Sequence, residues 1–120
     1  MTAGAAWCRV SAMAELTESA FEAKADETLT RMVDALADLE DDDLDVELES
    51  GVLTMTFADG ARYVVNSHRA ARQIWMAADS TAWHFDWDGR AWTAQKTGDE
   101  LWSTVEARTG HRLGRAVRLR

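Results

Sequence analysis

From Leu44 to Ala94 apolar and polar residues alternate in short runs, and the links between the first runs are too short to cross over a sheet. Leu44–Glu49 puts Leu44, Val46 and Leu48 on one side and Asp45, Glu47 and Glu49 on the other. Ser50-Gly51 leads into Val52–Phe57, where Leu53, Met55 and Phe57 share a face opposite Thr54 and Thr56. Asp59-Gly60 is a strong hairpin signal, because both central residues of a type I′ turn take positive φ. Ala61–Asn66 follows with Tyr63 and Val65 in phase, then a loop over Ser67–Ala71. A parallel pair would need a crossover of about a dozen residues or more, so these strands form an antiparallel meander.

The pattern continues through Arg72–Ala77, where Ile74 and Met76 alternate with Gln73, Trp75 and Ala77. Asp79–Thr81 turns the chain into Ala82–Trp87, with Trp83, Phe85 and Trp87 in one phase, and Asp88-Gly89 leads to a short strand, Ala91–Ala94. If Ile74 and Met76 face the core, Trp75 stands on the open face as a candidate contact anchor. With the opposite phase Trp75 is a core residue. Isoleucine and methionine suit a core better than Gln73 does, which favours the exposed placement. Trp83, Trp87, Trp92 and Trp102 read as packing residues.

Helices flank this region. Phe21, Ala25, Leu29, Met32, Val33, Leu36 and Leu39 recur at helical spacing, predicting a helix from about Glu18 to Glu40 opened by Thr17. Thr97-Gly98-Asp99-Glu100 reads as a capping box opening a second helix through Arg108, with Gly110 as its stop. The expected fold is α+β: a two-layer α-β sandwich with both terminal helices on one face of a five- to six-stranded antiparallel sheet. Residues 1–14 hold no acid and no apolar signal core and are expected to be a disordered leader, with Met13 as an alternative start. The domain is expected over 15–110 and a basic tail over 111–120, in which Leu113 and Val117 are spaced to plug the gap between the helices.

The charge is uneven. Residues 15–49 carry 14 of the 21 carboxylates against Lys24 and Arg31, a local net charge of −12 in a chain of −8. At about 100° per residue, Glu27, Asp34, Asp38 and Asp41 fall within about 60° of one another, opposite the apolar stripe. Like charges at i,i+4, such as Asp34 and Asp38, cost a helix about 0.2–0.5 kcal/mol per pair. Asp38 and Glu40–Asp43 also crowd a helix C-terminus, where the macrodipole favours cations. A solvated face that keeps the protein soluble is one reading. Asp45, Glu47 and Glu49 extend the acidity onto a strand, which favours binding of a cation or a basic partner.

Other classes find little support. In 120 residues no apolar run nears the ~18 that a membrane span needs. The lone Cys8 has no partner in the chain and suits a reducing compartment. The acidity opposes nucleic-acid binding. His68, His84 and His111 lack metal-ligand spacing, and no Gly-rich nucleotide loop occurs. Carboxylates without histidine or thiol suit hard cations, held weakly through oxygens and retained waters.

Four segments together carry a family resemblance: ADETL at Ala25–Leu29, GVLTMTF at Gly51–Phe57, NSHRAARQIW at Asn66–Trp75 and FDWDGRAW at Phe85–Trp92. They resemble the frataxin family, in its bacterial CyaY-type branch, and the likeness runs from about Leu16 to Leu113. The resemblance implies the frataxin α-β sandwich and a role in iron–sulfur cluster assembly. Family members bind Fe²⁺ and Fe³⁺ weakly along an acidic ridge, dock on the cysteine desulfurase–scaffold protein complex and modulate its sulfur transfer. By matching positions, Glu22, Asp26, Glu27, Asp34, Asp38, Asp41, Asp43 and Asp45 fall on that ridge, and Asn66, Gln73 and Trp75 on the partner-binding sheet surface. Two departures are Ala70, where the family commonly has proline, and His68, where glutamine is usual. The expectation is a cytoplasmic regulator or iron donor rather than a turnover enzyme, a monomer that iron could drive to oligomers. The alternatives are an iron store with ferroxidase activity and an acidic adaptor without a physiological metal.

Overall fold

The computed structural model describes residues 16–120; the expected leader lies outside them. Helix α1 spans Glu18–Ala37 and buries Phe21, Ala25, Thr28, Leu29, Met32 and Leu36. Thr17 caps it, its Oγ1 accepting the Ala20 N–H at 3.0 Å. The helix stops before the expected Glu40: Asp38 is the C-cap, the last turn holds no base, and Glu40 takes a φ of 49°. Glu40–Asp43 thus lie in a loop, where the penalty is smaller, while Asp38 stays at the helix end.

Six strands follow: β1 (Leu44–Glu49), β2 (Val52–Phe57), β3 (Arg62–His68), β4 (Gln73–Ala78), β5 (Thr81–Trp87) and β6 (Trp92–Thr93). They lie in chain order, each antiparallel to the next. β1 and β2 match the sequence reading, whereas β3 runs on to His68, leaving Arg69–Arg72 as the link. The cause is pairing: Ser67 and His68 stand opposite Ile74 and Gln73, so the ladder continues through residues whose polarity suggests a loop. Asp59-Gly60 departs from a type I′ turn. Only Gly60 takes positive φ, 92°, and its N–H closes the turn on the Phe57 carbonyl at 2.8 Å. Among the described residues, the turns with both central residues at positive φ are Ser50-Gly51 and Asp79-Ser80.

Helix α2 spans Leu101–Leu113. Its N-cap is Glu100 rather than Thr97: the Glu100 carboxylate accepts the N–H groups of Trp102 and Ser103 at 2.8 and 3.0 Å. Nor does Gly110 end the helix. It is buried within it, and Gly114, at a φ of 76°, is the C-cap. Beyond Gly114 the chain folds back along α2 and buries Val117, while Leu113 and Leu119 pack half-buried against the core.

Both helices cover one sheet face. Phe21, Leu29, Met32 and Leu36 of α1 and Leu101 and Val105 of α2 join Leu53, Met55, Tyr63, Val65, Ile74, Met76, Trp83 and Phe85 in a single buried cluster. Each large side chain so buried contributes about 1.5–3 kcal/mol of hydrophobic stabilisation. The buried Trp92 indole N–H donates to Thr28 Oγ1 at 3.0 Å, tying β6 to α1. The architecture is the two-layer sandwich, its sheet six-stranded. Among the described residues no helix is long and apolar enough to cross a membrane.

Candidate functional site

Of the carboxylates expected on the ridge, Glu22, Asp26, Glu27 and Asp34 lie on α1, and Asp38 caps it. Asp41, placed on the helix by periodicity, lies with Asp43 in the following loop. Asp45 begins the exposed phase of edge strand β1, whose other phase, Leu44, Val46 and Leu48, packs on the core. Successive side chains of a strand point to opposite faces, so Asp45, Glu47 and Glu49 face away from the helices. The acidic surface therefore wraps around the β1 edge.

Three of the eight carboxylates meet bases of the same chain. Glu22 pairs with Arg69 of the β3–β4 link, which also reaches Glu18 at 3.4 Å. Glu27 faces Lys24 at 3.5 Å and Arg31 at 4.0 Å, exposed pairs of small energetic weight. Asp41 accepts the Asp43 N–H at 2.9 Å and meets Arg115 of the tail at 3.1 Å. The backbone N–H foremost, and then Arg115, holds its carboxyl below the usual value of 3.8 against the opposing effect of desolvation. Asp26, Asp34, Asp38, Asp43 and Asp45 are exposed and form no ion pair among the described residues. Nor do three or more His, Cys, Asp or Glu side chains among the described residues come close enough to enclose a metal ion. The arrangement offers scattered surface oxygens, suited to a loosely held hard cation or a basic surface.

The open sheet face carries the second group. Ile74 and Met76 are buried, so Trp75 points away from the helices, with Asn66 opposite it on β3 and His84 opposite it on β5. Trp75 is half-buried rather than free in solvent. His68 stacks on one side of the indole, with ring centres 3.8 Å apart and planes 17° off parallel, and His84 stacks at 4.3 Å and 15°. In the plane of the face, the Trp75 Nε1–H donates to Gln73 Oε1 at 2.7 Å, and Gln73 Nε2 donates to Asp86 Oδ1 at 3.0 Å. Asn66, Gln73 and Trp75 are thus brought together on adjoining strands.

The two histidines are named in the sequence only for their lack of metal-ligand spacing and, for His68, a departure from the family; their stacking on Trp75 and the internal counter-ions emerge from the fold. His84 had a signal: a two-residue turn at Asp79-Ser80 fixes a register in which Trp75 meets His84. His68 had none, because its strand looked like a loop. Arg69 and Arg115 reach their carboxylates across the tertiary fold, beyond any local spacing.

A model of the frataxin-like domain matches residues 14–115. The iron-sulfur cluster assembly protein CyaY of Dechloromonas aromatica (strain RCB) is 38% identical over 106 residues, 88% of this chain and 100% of that protein. Among solved structures, a frataxin from Psychromonas ingrahamii superposes with a TM-score of 0.80 over 87% of this chain and 98% of that one; at 20% identity, it supports the fold. Trimeric frataxin from the yeast Saccharomyces cerevisiae superposes with a TM-score of 0.66 at 30% identity, over 76% of this chain and 79% of that one. By the domain match and the full-length likeness to its bacterial relative, this chain belongs to the frataxin family.

Proposed function

We propose that this protein serves iron–sulfur cluster assembly by two surfaces: an acidic one that carries iron loosely and meets a basic partner, and the Trp75 face that docks beside it. The observation that carries this reading is the set of exposed carboxylates, Asp26, Asp34, Asp38, Asp43 and Asp45, without ion pairs among the described residues. Scattered oxygens hold Fe²⁺ or Fe³⁺ through retained waters, weakly enough for the ion to leave as cargo. Glu22, Glu27 and Asp41 take part only by exchanging their present bases for iron or a partner.

The partner is the cysteine desulfurase with its scaffold protein, and the chain acts as a regulator or iron donor in the bacterial cytoplasm. This reading draws on the family resemblance, and on a bacterial relative named only as an iron-sulfur cluster assembly protein. A basic desulfurase surface would meet the helix carboxylates, with Gln73-held Trp75 as the apolar contact. Ferroxidase storage is the weaker reading, since it needs closely grouped ligands.

Charge reversal at Asp34→Lys with Asp38→Lys tests the proposal. Wild-type docking should weaken steeply with salt, and the double variant should lose both affinity and salt dependence. Undiminished, salt-sensitive docking by the variant would overturn it.

A further inference from the structure

We propose that His68 is a positioning residue, a proton-controlled latch that in its neutral form fastens the Arg69–Arg72 link beside Trp75 and lets it go when protonated. The inference deepens the proposed function, resting on Trp75 as a docking residue for its consequence but not for its geometry.

His68 makes two contacts at once. Its ring lies 3.8 Å from the Trp75 ring, near parallel, and its Nδ1 accepts the Ala71 N–H at 3.3 Å. That bond requires a lone pair on Nδ1, so the neutral ring carries its hydrogen on Nε2. A solvent proton taken up on Nδ1 sets donor against donor, and the Ala71 bond is lost. The stack survives, because an imidazolium over an indole face is a cation–π pair. The two contacts therefore respond oppositely to acid: the ring stays on Trp75 and the link loosens. Imidazole is the side chain that ordinarily titrates between about pH 5 and 8.

The link has reason to move once released. Arg72 sits at a φ of 53°, in the left-handed region that non-glycine residues avoid. Arg69 in the same link holds Glu22 and Glu18 of α1, so loosening it uncovers two carboxylates at the start of the acidic helix. One proton thereby couples the aromatic face to the acidic one.

Asp86 on β5 accepts from Gln73, Arg69 is engaged by α1, and Lys96 lines the recess beside His84, Gln73 and Asp86. Arg72 is exposed at the end of the link. His84 stacks on the far side of the indole and has no hydrogen bond to the link among the described residues, so its protonation leaves the latch closed.

The test is an NMR titration of the free full-length chain from about pH 8 to about pH 5. The Ala71 amide proton should move upfield with the midpoint of the His68 ring carbons, and its exchange, corrected for intrinsic rate, should speed up about fivefold or more. His68→Gln should keep the melting temperature and abolish both changes; His84→Gln should retain them. The proposal is overturned if the Ala71 amide ignores pH, follows the midpoint of His84, or still titrates in His68→Gln. Docking plays no part in this readout, so a failed docking experiment leaves it standing, and the reverse.

Discussion

Gly110 lies so close to the carbonyl oxygen of Arg115 that a Cβ added to it would stand 2.6 Å from that oxygen. The helix continues through the glycine, and the tail returns across it, the Arg115 N–H donating to the Gly110 carbonyl at 3.0 Å. On propensity alone Gly110→Ala would stabilise a helix interior by about 1 kcal/mol. Here the atom in the way is backbone, so the tail must shift and uncover Val117. We expect Gly110→Ala to destabilise by about 1–3 kcal/mol in urea unfolding, the range for overpacking. Stabilisation instead would show that the tail does not pack on α2.

Acid should loosen the same end of α2. Asp79 lies between Tyr63, whose hydroxyl donates to it at 2.8 Å, and Arg112 and Arg108. Burial works against its charge, but the hydrogen bonds from Tyr63 and Arg112 and the nearby guanidiniums outweigh that and hold its carboxyl below 3.8. Asp59 is lowered likewise, by the Ala61 N–H first and then by Arg112. A carboxyl depressed in the folded state adds stability that is present above its unfolded value and lost as pH falls through the folded one. Denaturation curves should therefore show stability dropping below about pH 4. Asp79→Asn should flatten that slope, and Tyr63→Phe should cost about 1 kcal/mol at neutral pH.

Trp75→Ala should separate docking from folding. The side chain is half-buried on the face away from the core, so its loss should lower the melting temperature only slightly. Affinity for the desulfurase–scaffold complex should fall about tenfold or more, as for a central aromatic anchor. A large thermal loss with unchanged affinity would assign Trp75 to stability alone.

The sandwich was legible because its strands alternate strictly and its turns are short: β1 and β2 follow from Leu44, Val46, Leu48, Leu53, Met55 and Phe57. Local pattern misleads where tertiary contacts decide. His68 joins a strand because Gln73 pairs with it, and the glycine at 110 marks where the tail crosses α2, not where the helix ends. The acidic residues were easy to find, but their counter-ions were not. Arg69 and Arg115 are distant in sequence from Glu22 and Asp41, and only the fold brings them together.

The most direct test of the acidic surface as an iron carrier is anaerobic addition of Fe²⁺ to the ¹⁵N-labelled chain, followed by paramagnetic broadening of amide signals. The account predicts weak, saturable broadening centred on Asp26, Asp34, Asp38, Asp43 and Asp45, sparing the Trp75 face, and abolished where aspartates are replaced by asparagine. Broadening spread evenly over the molecule, or centred away from these carboxylates, would contradict it.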